Sequence, residues 1–275
     1  MRLRSVFCLF TFVLPAFAQD PGKPSEKLID TQVGALPIII SCPHDGTKAI
    51  PDVPVRMGTG IEKFVVVRDT NAGAIAEELA KELETRFKAK PYLVIARFGR
   101  KYLDVNRPMD GAYENEKAKP YYESYHGLLK EYSQAVQKKW NRGLLLDIHG
   151  QGAESETVFR GTNDLKTVKA LITRYGKPAV VGEKSILGHM AKNGVKIFPA
   201  CDKDDPEDKR YSGGHIVQTY GSHTAYAIDA IQLETGGKQR GSGRKEFVTK
   251  LADAVEVFAR EYLPMEAGKK PKADK

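Results

Sequence analysis

Residues 36–46 read LPIIISCPHDG. The run from Leu36 to Cys42 is short and almost wholly apolar, the pattern of a strand buried on both faces. A strand of that kind needs a sheet with a covering layer on each side. Its end carries Pro43, His44, Asp45 and Gly46. In open α/β sheets, ligands bind beyond the carboxyl ends of the strands, so His44 and Asp45 stand where chemistry is expected.

Outward from this stretch, further apolar runs alternate with amphipathic ones. Tyr92 to Ala96 (YLVIA), Leu144 to Ile148 (LLLDI) and Ala227 to Leu233 are expected strands, and Phe64 to Val67 (FVVV) is a weaker one. Asn71 to Phe87 places Ala74, Ile75, Leu79, Leu83 and Phe87 on one helical face, with Asp69 and Asn71 as candidate caps. Tyr121 to Trp140 reads as a long amphipathic helix, Leu165 to Tyr175 and Glu183 to Asn193 as shorter ones, and Lys245 to Tyr262 as a closing helix. Strand–helix alternation of this sort predicts an α/β domain with helices on both faces of a mixed, mostly parallel central sheet.

The chain has 275 residues, 41% hydrophobic and 28% charged. That is ordinary globular usage and excludes collagen, a coiled coil, a polytopic membrane protein and wholesale disorder. Residues 1–18 (MRLRSVFCLFTFVLPAFA) combine Arg2 and Arg4, an apolar stretch and an A-x-A site at Ala16–Ala18. They read as a secretory signal peptide, too short to span a bilayer. Residues 19–34 read as a polar lead-in, 35–264 as one domain and 265–275 as a Lys-rich disordered tail. The protein is therefore expected to be exported, to the periplasm or beyond, without stable membrane insertion once the signal is removed. Cys42 and Cys201 then remain, to pair or to stay as free thiols. Removing the two signal arginines from the formal +8 leaves +6. No basic–aromatic motif accompanies that charge, so no nucleic-acid partner is expected.

The strand ends hold the reactive residues. Arg97 to Arg100 and then Asp104 to Pro108 follow YLVIA, Asp147 and His149 close the LLLDI strand, and Gln232-Leu233-Glu234 ends the late strand. Two of the chain's six histidines lie at these ends. Histidines, carboxylates and arginines in one place suit metal-assisted hydrolysis. Zinc takes imidazole and carboxylate ligands and keeps one position for water. A further carboxylate moves protons, and arginine pairs with an anionic substrate. Each residue also has a structural reading: turn residue for His44, strand cap for His149, edge charge for Glu234, and a surface ion-pair network for Arg100, Asp104 and Arg107.

PHDG, RKYLDVNRP, LLDIHG, YSGGHIVQTYG and AIQLE occur in that order between His44 and Glu234. In this the chain resembles the N-formylglutamate amidohydrolase family, with its PHxG, R-x-x-x-D-x-N-R, D-x-H, GG-x-I-x-x-x-YG and Q-x-E segments. The resemblance implies a phosphorylase/hydrolase-like α/β fold shared with zinc carboxypeptidases. By position it implies that His44 and His149 are metal ligands and that Glu234 is general base and acid. It also implies that Asn106 and Arg107 grip a substrate carboxylate and that Arg100 polarises the scissile carbonyl. The carboxypeptidases carry a glutamate three residues after the first histidine, where this chain has Thr47. The deformylase relatives carry an Asp-Thr pair before the first helix, matched by Asp69-Thr70. Asp69 is thus the favoured second ligand, with Asp45 and Asp147 as rivals. Asp147 is otherwise expected to orient a ligand histidine. Gly213, Gly214 and His215 form an expected substrate loop, and His126 is expected to pack at the edge of the site.

The expected activity is a zinc-dependent amidohydrolase, with one zinc per chain, acting on an N-acyl amino acid, N-formyl among them, or a short peptide with a free carboxylate. A secreted zinc carboxypeptidase-like peptidase is the second reading. A non-catalytic exported binding protein of the same fold is the third.

Overall fold

The computed structural model describes residues 28–62 and 64–265. The expected signal peptide, most of the expected lead-in and nearly all of the expected tail lie outside the described residues.

Seven strands form one mixed sheet: β1 (Ile29–Gln32), β2 (Ile38–Cys42), β3 (Tyr92–Ala96), β4 (Gly143–Gly150), β5 (Thr157–Gly161), β6 (Lys196–Phe198) and β7 (Ile228–Thr235). Their order across the sheet is β1-β3-β2-β4-β7-β5-β6. β3, β2, β4 and β7 run parallel at the centre, and β5 and β6 run parallel to each other. β1 on β3 and β5 on β7 are antiparallel. The mixed, mostly parallel α/β sheet expected from the sequence is therefore present.

The strand read first explains the layering. Ile38, Ile40 and Cys42 point into one core, packed with Ile75, Leu79 and Leu83 of the helix Ala72–Phe87 and Leu251, Val255 and Phe258 of the helix Arg244–Tyr262. Ile39 points into the other, with Tyr125, Leu129 and Val136 of the helix Lys119–Trp140. Successive strand side chains alternate faces, so a continuous apolar run feeds both cores at once. Each fully buried aliphatic contributes roughly 1.5–3 kcal/mol.

Three expectations are corrected. The stretch 19–34 contains β1, an edge strand carried by Leu28 and Ile29, both buried. Phe64 to Val67 forms no strand and instead crosses the surface with its valines exposed. β5 and β6 were not expected, because both are short and β5 (TVFRG) carries a buried arginine, Arg160, paired with Glu207 from a distant loop. Cys42 and Cys201 are free thiols. Among the described residues, no helix is long and apolar enough to cross a membrane.

Candidate metal centre

The parallel register of β4 and β7 builds the floor of the site. His149 stands opposite Glu234, and Asp147 stands opposite Gln232 and Ser41. With a side-chain period of two, Asp147 and His149 share a face, as do Gln232 and Glu234. His44 joins them from the loop after β2, and Asp69 from the turn before the helix Ala72–Phe87.

Asp69 does not cap that helix. The Asp45 carboxylate accepts from the backbone N–H groups of Asn71 (3.0 Å) and Gly73 (2.9 Å) and pairs with Arg68. That work removes Asp45 from candidacy as a ligand and frees Asp69. The Asp69 Oδ2 lies 3.2 Å from His149 Nδ1 and 3.4 Å from His44 Nδ1, and accepts from Gly150 N–H at 3.1 Å. The two Nδ1 atoms stand 3.1 Å apart.

The far side of each ring is also occupied. His44 Nε2 lies 2.7 Å from Asp104 Oδ1, and His149 Nε2 lies 2.9 Å from Asp147 Oδ2. An ionised carboxylate only accepts, so each Nε2 presents its N–H to that carboxylate and each Nδ1 faces inward, where loss of its proton leaves a lone pair free to bind a metal. Two Nδ1 atoms and the Asp69 carboxylate face one another at 3.1–3.4 Å, a spacing that suits a shared cation. Donors ~2.1 Å from a tetrahedral zinc lie roughly 3.4 Å apart. His44, Asp69 and His149 are all buried and form a group able to hold a metal ion; the donor set fits.

The electrostatics agree. Burial would raise Asp69, but hydrogen bonds from His149 and His44 outweigh it and hold the carboxyl well below its usual range. Burial likewise opposes ionisation of Asp104, and the charges of His44 and Arg100 overcome it. His149 is drawn well above the usual imidazole range: burial pulls it down, and Asp147 and Asp69 more than compensate. Glu234 differs, since burial pushes it up to about 7. The centre thus favours positive charge among its carboxylates.

Glu234 Oε1 lies 4.0 Å from His149 Nδ1 and accepts from Gln232 Nε2 at 2.9 Å. Gln232 Oε1 in turn accepts from Gly214 N–H at 2.7 Å, so one side chain fixes both Glu234 and the loop through Gly213 and Gly214. Gly213 has φ +111, and a Cβ at Gly214 would run into the Asn106 carboxamide. These two glycines are required by backbone conformation and by close approach. Asn106 is buried and committed inward, its Oδ1 accepting from Ile216 N–H at 2.8 Å and its Nδ2 donating to Gln232. It orders the loop as well as bordering the site. Arg100 Nε donates to Asp104 Oδ2 at 2.9 Å, and Arg107 Nε lies 3.7 Å from the same oxygen. His126 packs behind, bonded to Val105 O and Tyr220, with burial lowering it to about 4.

All ten candidate residues border one cleft of about 940 Å³: His44, Asp69, Arg100, Asn106, Arg107, His149, Gly213, Gly214, His215 and Glu234. Asp147 takes the orienting position, with Ser41 Oγ donating to its other oxygen at 2.6 Å. Asp104, Gln232 and Ser41 have roles the sequence did not disclose. The spacing R-x-x-x-D-x-x-R made Asp104 visible only as an ion-pair partner.

The fold is shared with N-formylglutamate amidohydrolase from Ralstonia eutropha JMP134, at 16% identity and TM-score 0.59, over 86% of this chain and 98% of that one. It is shared also with a gene product from Agrobacterium tumefaciens, at 14% identity and TM-score 0.53, over 87% and 98%. No family model matches the chain, and no curated protein matches its sequence. The α/β fold expected from the sequence is thus the fold of these solved structures.

Proposed function

We propose that this protein is a metal-dependent amidohydrolase that cleaves the amide of an N-acyl amino acid. The convergence of His44 Nδ1, His149 Nδ1 and Asp69 Oδ2 beside Glu234, on the floor of an open cleft, carries this reading. Zinc held by these three residues would supply Lewis acidity and lower the pKa of water toward ~7. Asp104 and Asp147 hold the two imidazoles in the ligating tautomer.

Glu234, braced by Gln232, takes a proton from the attacking water as the C–O bond forms. It returns that proton to the amide nitrogen as the C–N bond breaks, releasing a carboxylic acid and a free amino acid. Arg100, kept in place by Asp104, donates to the carbonyl oxygen as negative charge develops there. Arg107 pairs with the substrate carboxylate. Asn106, Gly213, Gly214 and His215 shape the wall against which the amino acid lies. The A-x-A signal reading supports action outside the cytoplasm.

The test is hydrolysis of N-acyl amino acids by the zinc-loaded mature domain, read as release of free amino acid. Turnover that stops on chelation and returns with zinc is the expected result; a preparation that binds zinc and hydrolyses only dipeptides would favour the peptidase reading.

A further inference from the structure

Among the described residues, seven large apolar side chains are exposed, and five of them lie between residues 55 and 67: Val55, Met57, Val65, Val66 and Val67. Three consecutive exposed valines are unusual on a monomer surface, where contiguous apolar patches mark binding sites. The run Phe64 to Val67 has strand composition but no strand partner, and the catalytic account leaves it unused.

This strap is fastened. Arg56 is only 4% exposed. Its Nη2 donates to Val65 O at 3.2 Å and to Arg100 O at 2.8 Å, and Phe64 lies over its guanidinium at 5.1 Å. One buried cation thus ties the valine run to the backbone of Arg100, whose side chain stands in the cleft. Val65 and Val67 border that same cleft, together with Arg107 and Glu234. At about 940 Å³, the cleft is at the top of the ~300–1,000 Å³ range for small-molecule sites, far more than a formyl group and an amino acid require. It combines cationic groups with an apolar lip. An N-acyl amino acid has the matching polarity, with a carboxylate at one end and an apolar chain at the other.

We propose that Val65 and Val67 form an acyl-chain subsite, and that the preferred substrate is an amino acid bearing an apolar N-acyl chain of several carbons. This inference rests on the amidohydrolase reading and narrows its substrate class.

The experiment uses N-formyl-, N-acetyl-, N-butanoyl- and N-octanoyl-L-glutamate with the zinc-loaded protein. kcat/KM is expected to rise about twofold per methylene beyond acetyl, the square root of the ~fourfold that full burial would give. In V65S/V67S, which alters only exposed side chains, the dependence on chain length flattens. Calorimetric binding of the acetyl and octanoyl compounds to Glu234→Gln protein gives a readout free of turnover. Octanoyl binds more tightly, and V65S/V67S in that background removes the difference. Turnover of the panel with kcat/KM flat or falling with chain length overturns the subsite while leaving the amidohydrolase reading intact. Neither turnover nor binding of any compound overturns both. A concentration-dependent dimer dispersed by V65S/V67S, with no chain-length dependence, assigns the strap to a second copy and overturns the subsite.

Discussion

Asp104 shows how one carboxylate can serve three neighbours. Its Oδ1 holds His44, and its Oδ2 holds Arg100 with Arg107 nearby, so a candidate metal ligand and two arginines bordering the cleft share a support. Asp147 likewise holds His149 through its Oδ2. Replacing either by Asn keeps the shape but loses the charge that fixes the imidazole tautomer. Asp104→Asn and Asp147→Asn are each expected to lower zinc affinity by about 10–100-fold, measured by competition with a chromophoric chelator. Unchanged affinity in both would separate these carboxylates from the centre. Glu234→Gln is expected to lower kcat by about 10²–10⁴-fold with zinc retained, checked by metal content and turnover on one sample. His44, His149 and Glu234 were legible in the sequence because strand ends concentrate function and because five motifs fall in order. Asp69 was legible only through resemblance. Its local context reads equally as a helix cap, and only the tertiary position of Asp45 resolves the two.

The register of β4 against β7 turns sequence spacing into a site, since His149 and Glu234 are neighbours only because the two strands pair without a slip. The loop that precedes the helix His215–Tyr220 depends on another pairing. Glu207 is buried and accepts from Arg160 Nε (2.7 Å) and from the backbone N–H groups of Thr162 (2.9 Å) and Asp164 (3.0 Å). It anchors the segment leading to Gly213 and Gly214 onto β5. Glu207→Ala leaves Arg160 buried without its carboxylate, at a cost of about 3–5 kcal/mol, to be read from urea denaturation midpoints; a loss under 1 kcal/mol would contradict the anchoring role. Gly214→Val is expected to raise KM by driving a side chain into Asn106, with zinc content unchanged. Long apolar strands and amphipathic helices were readable from periodicity alone. β5, β6 and the strap were not. Short edge elements take their stability from partners distant in sequence, and a valine run reads as a strand wherever no sheet is known to be absent beside it.

At the scale of the molecule, a double-faced core supports a site that brings four acidic side chains, Asp69, Asp104, Asp147 and Glu234, to one buried place. Such a concentration of carboxylates costs stability unless cations offset it, and under the proposed function metal binding would be linked to folding. At a hundredfold excess over Kd, zinc should add about 2.7 kcal/mol, raising Tm by roughly 5–10 °C for a domain of this size; differential scanning calorimetry with zinc and with chelator measures it. The layered α/β architecture was legible from the first strand onward, because its apolar run had to feed two cores. The surface course of Phe64 to Val67 was not, because a valine run signals burial. The most direct measurement is metal content together with amidase activity on one preparation of the chain beginning at Gln19, with His149→Ala beside it. The account predicts about one zinc per chain, chelator-sensitive release of amino acid from N-acyl amino acids, and loss of both in the variant. Zinc-independent turnover, or zinc bound equally by His149→Ala, would contradict it.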